Sequence, residues 1–109
     1  MKPPIAISAA EWDIVRGILQ RHVPGHEVWA FGSRATGTCK PFSDLDLAIL
    51  AAHPLPLSTI ADLADAFSES DLPYKVDIVD WATTSERFRG VMKTGHIVLR
   101  AKTPQAQRG

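Results

Sequence analysis

Cys39 is the single cysteine among 109 residues. One thiol excludes an internal disulfide and a zinc cage built from several cysteines, and it fits a reducing compartment. Nor is there a surplus of charge: 12 Lys and Arg balance 12 Asp and Glu. No overall field therefore draws the chain toward DNA, RNA or anionic membranes, and no direct nucleic-acid binding is expected. No apolar run approaches the roughly 20 residues of a membrane span, and the opening MKPPIAISAAEW has no apolar centre of the secretory kind. The expected location is the cytoplasm. Internal repeats, low-complexity blocks and interior linkers are missing too. His22, His26, His53 and His96 show no metal-ligand spacing, and Cys39 has no local histidine or cationic run to activate it.

What is present is a length near the commonest domain size and 45% hydrophobic residues, enough for one core. One domain is expected over residues 1–109, with a loose tail from about 103. Ser8 and Glu11 have capping-box spacing, and Ile14, Val15, Ile18 and Leu19 then recur at helical spacing until Pro24-Gly25. EVWAFG reads as a strand stopped by Gly32, and DLDLAIL as a second strand, with Leu45, Leu47 and Ile49 on one face and Asp44, Asp46, Ala48 and Leu50 on the other. Ile60, Leu63, Ala64 and Phe67 mark an amphipathic helix expected to end near Asp71-Leu72-Pro73. YKVDIVDW is a third strand. A last helix is expected from Thr83 or Thr84, on the spacing of Thr83 and Glu86, burying Phe88, Val91 and Met92; HIVLR then closes as a short strand or an extended segment. The order implies an α/β (α+β) fold in which a small mixed β-sheet packs against helices.

Residues 31–50, FGSRATGTCKPFSDLDLAIL, hold the sharpest pattern. Gly32 and Gly37 have the glycine spacing of a Walker A loop, but no lysine follows Gly37, so that reading fails. There remains a strand ending in Gly32-Ser33, where glycine lets backbone come close, a hydroxyl can donate to phosphate, and a helix starting at Ser33 would aim N–H groups at an anion. Asp44 and Asp46, two residues apart on a strand, share a face, and two carboxylates together are unfavourable unless a cation or proton lies between them. Magnesium, with its preference for hard oxygens and substrate phosphates, is the natural cation. Asp77, paired in register with the second strand, would complete a three-carboxylate cluster of the kind that holds two metals for in-line phosphoryl displacement. The blander reading is a tight turn followed by solvated carboxylates, with Asp77 ion-paired to Lys75 or Lys40. Arg34 reads as a surface or ion-pairing residue, and Ser43 as the residue that orients the turn before Asp44.

GSRATG, then SDLDL, then the aspartate in KVDIVD resemble the nucleotidyltransferase superfamily that includes DNA polymerase beta, and within it the minimal nucleotidyltransferase (MNT) branch. The resemblance runs from about Val28 to Asp80. It implies that Gly32 and Ser33 hold a nucleoside triphosphate, that Asp44 and Asp46 bind two Mg2+ ions, and that Asp77 helps bind the catalytic one and activates an acceptor hydroxyl. It further implies an enzyme that transfers a nucleoside monophosphate, AMP if the substrate is ATP, and releases pyrophosphate. Members of this branch are often antitoxins of HEPN-domain toxins, some modifying a toxin tyrosine with AMP, so a small helical HEPN-type partner or a homo-oligomer is expected to complete the acceptor site. Two alternatives stay open: a non-catalytic antitoxin that occludes its toxin, and a small-molecule transferase of the aminoglycoside type.

Overall fold

Ser8 starts the first helix. Its hydroxyl accepts from Glu11 N while the Glu11 carboxylate accepts from Ser8 N, which satisfies donors that a helix start leaves unpaired. In the computed structural model, which describes residues 3–101, the elements are α1 (Ala9–His22), β1 (Glu27–Phe31), α2 (Ser33–Thr36), β2 (Leu45–Leu50), α3 (Leu57–Ser68), β3 (Val76–Asp80), a 3-10 turn (Trp81–Thr83), α4 (Glu86–Lys93) and β4 (Ile97–Arg100). The tail expected to be loose from 103 lies outside the described residues.

The strands form one mixed sheet in the order β3-β2-β1-β4. β1 pairs antiparallel with both β2 and β4, whereas β2 and β3 run parallel. A parallel pair needs a crossover, and α3 supplies it. Alternation along β2 separates two environments. Leu45, Leu47 and Ile49 are buried with Val28 and Ala30 of β1, Trp12, Val15, Ile18 and Leu19 of α1, and Leu63 and Phe67 of α3. The opposite face carries a smaller cluster of Trp29, Ala48 and Met92, flanked by half-buried Phe31, Val79, Trp81 and Phe88. Asp46 belongs to this second face.

Three local expectations are corrected. α3 stops at Ser68, before Asp71, because the Ser70 amide and hydroxyl both donate to Phe67 O and close the helix there. α4 is capped by Ser85, whose Oγ accepts from Phe88 N. Thr83 is committed elsewhere: it donates to Asp80 O within the 3-10 turn, and Asp80 Oδ1 accepts from Ala82 N. Val91 is 59% exposed, not buried. Phe88 and Met92, four residues apart, are the α4 side chains in the second cluster, so Val91 falls outside the buried stripe.

Candidate functional site

β1 ends at Phe31, and the chain leaves the sheet through Gly32 at φ 76°, ψ −162°, a region that essentially only glycine adopts. α2 follows at once, so the amides of Ser33 and Arg34 are those a helix start leaves without an intrahelical partner. Gly32 also lies against a carboxylate: a Cβ built there would collide with Asp46 Oδ2. The turn and the aspartate, 14 positions apart in sequence, are thus in direct contact.

The register explains why. Phe31 faces Asp46 across the antiparallel pair, and Asp46 faces Asp77 across the parallel pair. Directly opposed residues present their side chains on the same face, so Phe31, Asp46 and Asp77 form a row. Phe88 of α4 packs edge-on against Phe31 with ring centres 5.7 Å apart, giving the row an aromatic end. Asp44 lies one residue before β2 and is exposed.

Like-charge repulsion falls mainly on Asp46. Burial first, then the Asp77 and Asp44 carboxylates, push its carboxyl up to about 6, and a hydrogen bond with Asp77 adds to the effect. Lys75 Nζ stands 3.7 Å from Asp77 Oδ1, with both side chains well exposed. That pair, the alternative partner expected for Asp77, is therefore present, but exposed ion pairs of this length contribute little to stability. Among the described residues no three Asp, Glu, His or Cys side chains draw together closely enough to grip an ion by themselves. Asp46 and Asp77 are side by side, while Asp44 acts on Asp46 from the loop end. Three like charges resist closing unless a cation or proton lies between them. The donor set is all hard oxygen, which fits a divalent ion of the magnesium type.

The loop that delivers Asp44 is held from beneath. Ser43 Oγ accepts from Lys40 N at 2.9 Å and Ser43 N donates to Lys40 O at 3.0 Å, so Ser43 orients this turn as its position suggested. Arg34 does not lie at the surface as expected. It is 4% exposed, donates to several backbone carbonyls of this loop and stacks on Tyr74. Nothing in the local spacing distinguishes it from a solvated arginine, because its acceptors lie up to 28 positions away.

Residues 15–104 match the family described as polymerase beta, nucleotidyltransferase. The chain belongs to the polymerase beta nucleotidyltransferase family. It is 51% identical over 96 residues to the probable protein adenylyltransferase MntA of Haemophilus influenzae, covering 88% of this chain and 84% of that relative. It superposes on a crystal structure of a toxin-antitoxin with AMP-PNP at TM-score 0.70 and 28% identity, covering 89% of this chain and 77% of that one. A structure of a tri-AMPylated Shewanella oneidensis HEPN toxin in complex with an MNT antitoxin gives TM-score 0.64 at 25% identity, covering 91% and 76%. The four-stranded mixed sheet with its helices is the minimal nucleotidyltransferase fold. As a nucleotidyltransferase of the MNT branch, the chain places the Gly32-Ser33 turn against Asp46 by the close approach described above, and Asp46 against Asp77 by strand register.

Proposed function

We propose that this nucleotidyltransferase transfers AMP from ATP, with magnesium, to a hydroxyl of a HEPN-type partner protein, and that it thereby acts as an antitoxin. The observation that carries the reading is the row of Asp46 and Asp77 on one sheet face with the glycine turn against it. The name of the Haemophilus relative and the tri-AMPylated toxin of the Shewanella complex support the choice of nucleotide and acceptor. Gly32 and Ser33 bind the triphosphate: the glycine lets the backbone approach it, and the serine hydroxyl donates to it. Asp44, Asp46 and Asp77 are the residues that would hold magnesium, which supplies charge neutralisation for the displaced pyrophosphate. Asp77, at the edge of the row, accepts the proton of the acceptor hydroxyl. The acceptor oxygen bonds to the α-phosphorus, the bond to the bridging oxygen breaks, and pyrophosphate leaves.

The test is intact-mass measurement of the partner after incubation with the chain, ATP and magnesium. Wild type should add whole AMP units. Asp77→Asn, which keeps the side-chain shape but removes the charge, should add none while still binding the partner. If wild type adds no mass with any common triphosphate yet still neutralises its partner, the chain works by occlusion and the transfer reading is wrong.

Ser33 gives a milder expectation. Ser33→Ala removes one donor to phosphate, a charge-assisted bond worth about 1.5–3 kcal/mol, so the dissociation constant for ATP should rise about ten- to hundredfold. Ser33 is only half-buried at the start of α2, so the melting temperature should barely move. Unchanged ATP affinity by calorimetry would reduce Gly32-Ser33 to a simple turn.

A further inference from the structure

We propose that Arg34 is a positioning residue: it fixes the 38–44 loop, and with it Asp44, in the arrangement that transfer requires. The proposal rests on the reading of Asp44 as a cation ligand given above. Among the described residues Arg34 is the buried charged side chain, and no carboxylate lies within ion-pair distance of it. Burying a guanidinium without a counter-ion is unfavourable unless its five N–H donors find acceptors. Here the acceptors are backbone carbonyls, with the Cys39 sulfur as one further, longer contact of Nη1 at 3.8 Å. Nε donates to Ser43 O at 2.9 Å, Nη2 to Pro41 O at 2.8 Å and Lys40 O at 3.4 Å, and Nη1 to Ala6 O at 2.8 Å. The guanidinium carbon lies 3.9 Å from the centre of the Tyr74 ring, the stacking that a planar cation favours.

Three of those four carbonyls belong to the turn from Lys40 to Ser43, and Asp44 comes next. Leu45 N is already fixed, donating to Lys75 O at 2.9 Å. Asp44 is therefore bracketed by Arg34 on the peptide before it and by the sheet on the peptide after it. An apolar side chain of similar size would fill the space over Tyr74 but would leave the Pro41 and Ser43 carbonyls without their donor, Lys40 O keeping only its bond from Ser43 N. The loop, not the core, is what needs the fork and the charge. Tyr74 is itself tethered, its hydroxyl donating to Glu11 Oε1 at 3.1 Å. The segment before α1 joins at the same point, Ala6 N donating to Arg34 O at 3.1 Å. Because Arg34 directly follows Gly32-Ser33, one residue links the nucleotide turn to the loop that carries Asp44.

Arg34→Lys keeps the charge, but a single ammonium does not span four carbonyls. The magnesium concentration for half-maximal transfer should rise at least about tenfold, the scale on which outer-sphere partners act on metal affinity, and saturating magnesium should restore most of kcat. A variant that loses kcat equally at every magnesium concentration, with half-saturation unmoved, shows a role in stability alone and overturns the proposal. Tyr74→Leu removes the ring beneath the guanidinium and should shift half-saturation in the same direction by a smaller factor; it serves if Arg34→Lys does not fold. Amide hydrogen exchange supplies a readout independent of turnover. The Lys40 and Ser43 amides bond within the turn that Arg34 holds, so both should be protected in wild type and exchange at least about tenfold faster in folded Arg34→Lys; equal protection in the two proteins overturns the proposal. If wild type transfers nothing at all, the functional reading fails by itself, and the exchange data alone decide on Arg34.

Discussion

Asp46→Asn should raise the melting temperature of the metal-free protein at neutral pH while reducing transfer by about a thousandfold or more, about 4 kcal/mol of transition-state stabilisation. The two effects have one cause. Burial, Asp77 and Asp44 together raise the Asp46 carboxyl from its ordinary 3.8 to about 6, so the fold favours its protonated form. The stability this group contributes is fully present below about pH 3.8 and is lost as pH rises through about 6. Above that, wild type carries an ionised carboxylate among like charges, whereas the asparagine variant has no charge there to repel. The gap in melting temperature between the two should therefore open as pH rises from 4 to about 6 and stay constant above. Magnesium with ATP should close it by stabilising wild type alone, through mass action on the folded state. A gap that is absent at pH 8, or that magnesium leaves unchanged, would show that the charge on Asp46 is unrelated to cation binding.

This conflict between stability and site also accounts for which parts of the molecule can be read in the sequence. Leu45, Leu47 and Ile49 alternate with Asp46 and Ala48, and that period-two pattern already assigns the aspartate to the face opposite the main core. Asp77 between Val76 and Ile78 carries the same signal, and the register with β2 follows once both strands enter one sheet. The capping box at Ser8 is equally local, hence equally legible. Arg34 is not. Its role is set by Ala6, Ser43 and Tyr74, which only the folded chain brings together, and a lone arginine after Gly-Ser has no periodicity to betray it. The α4 cap is hidden in the sequence for a related reason. Thr83 and Ser85 are both competent caps by chemistry, and the choice is made by Asp80, which draws Thr83 into the preceding turn and also accepts from Leu55 N at 2.9 Å. Val91 reads as buried from the sequence because α4, at eight residues, is too short for its apolar stripe to be told without the surface beneath it.

Gly32→Ala should disable the site while the sheet survives, and Gly37→Ala should not. Both glycines have positive φ, 76° and 83°, so an alanine at either is strained, by about 1–3 kcal/mol in the region Gly32 occupies and about 1–2 kcal/mol in the left-handed region of Gly37. They differ in what surrounds them. A Cβ on Gly37 meets nothing within 4 Å, whereas one on Gly32 runs into Asp46 Oδ2 and comes within 3.4 Å of Asp46 Cγ. Because Oδ2 is the free end of the side chain, the backbone need not move; the carboxylate rotates away, and its place beside Asp77 is lost. A displacement on the ångström scale at a reacting centre can cost about a hundredfold in rate. Both variants should therefore melt at a lower temperature than wild type, by similar amounts, with unchanged far-UV circular dichroism. Transfer should fall by about a hundredfold or more in Gly32→Ala only. Equal loss of transfer in the two variants would mean that backbone strain in the 32–37 turn, rather than the contact between Gly32 and Asp46, sets the activity, and the close approach would then have no part in the chemistry.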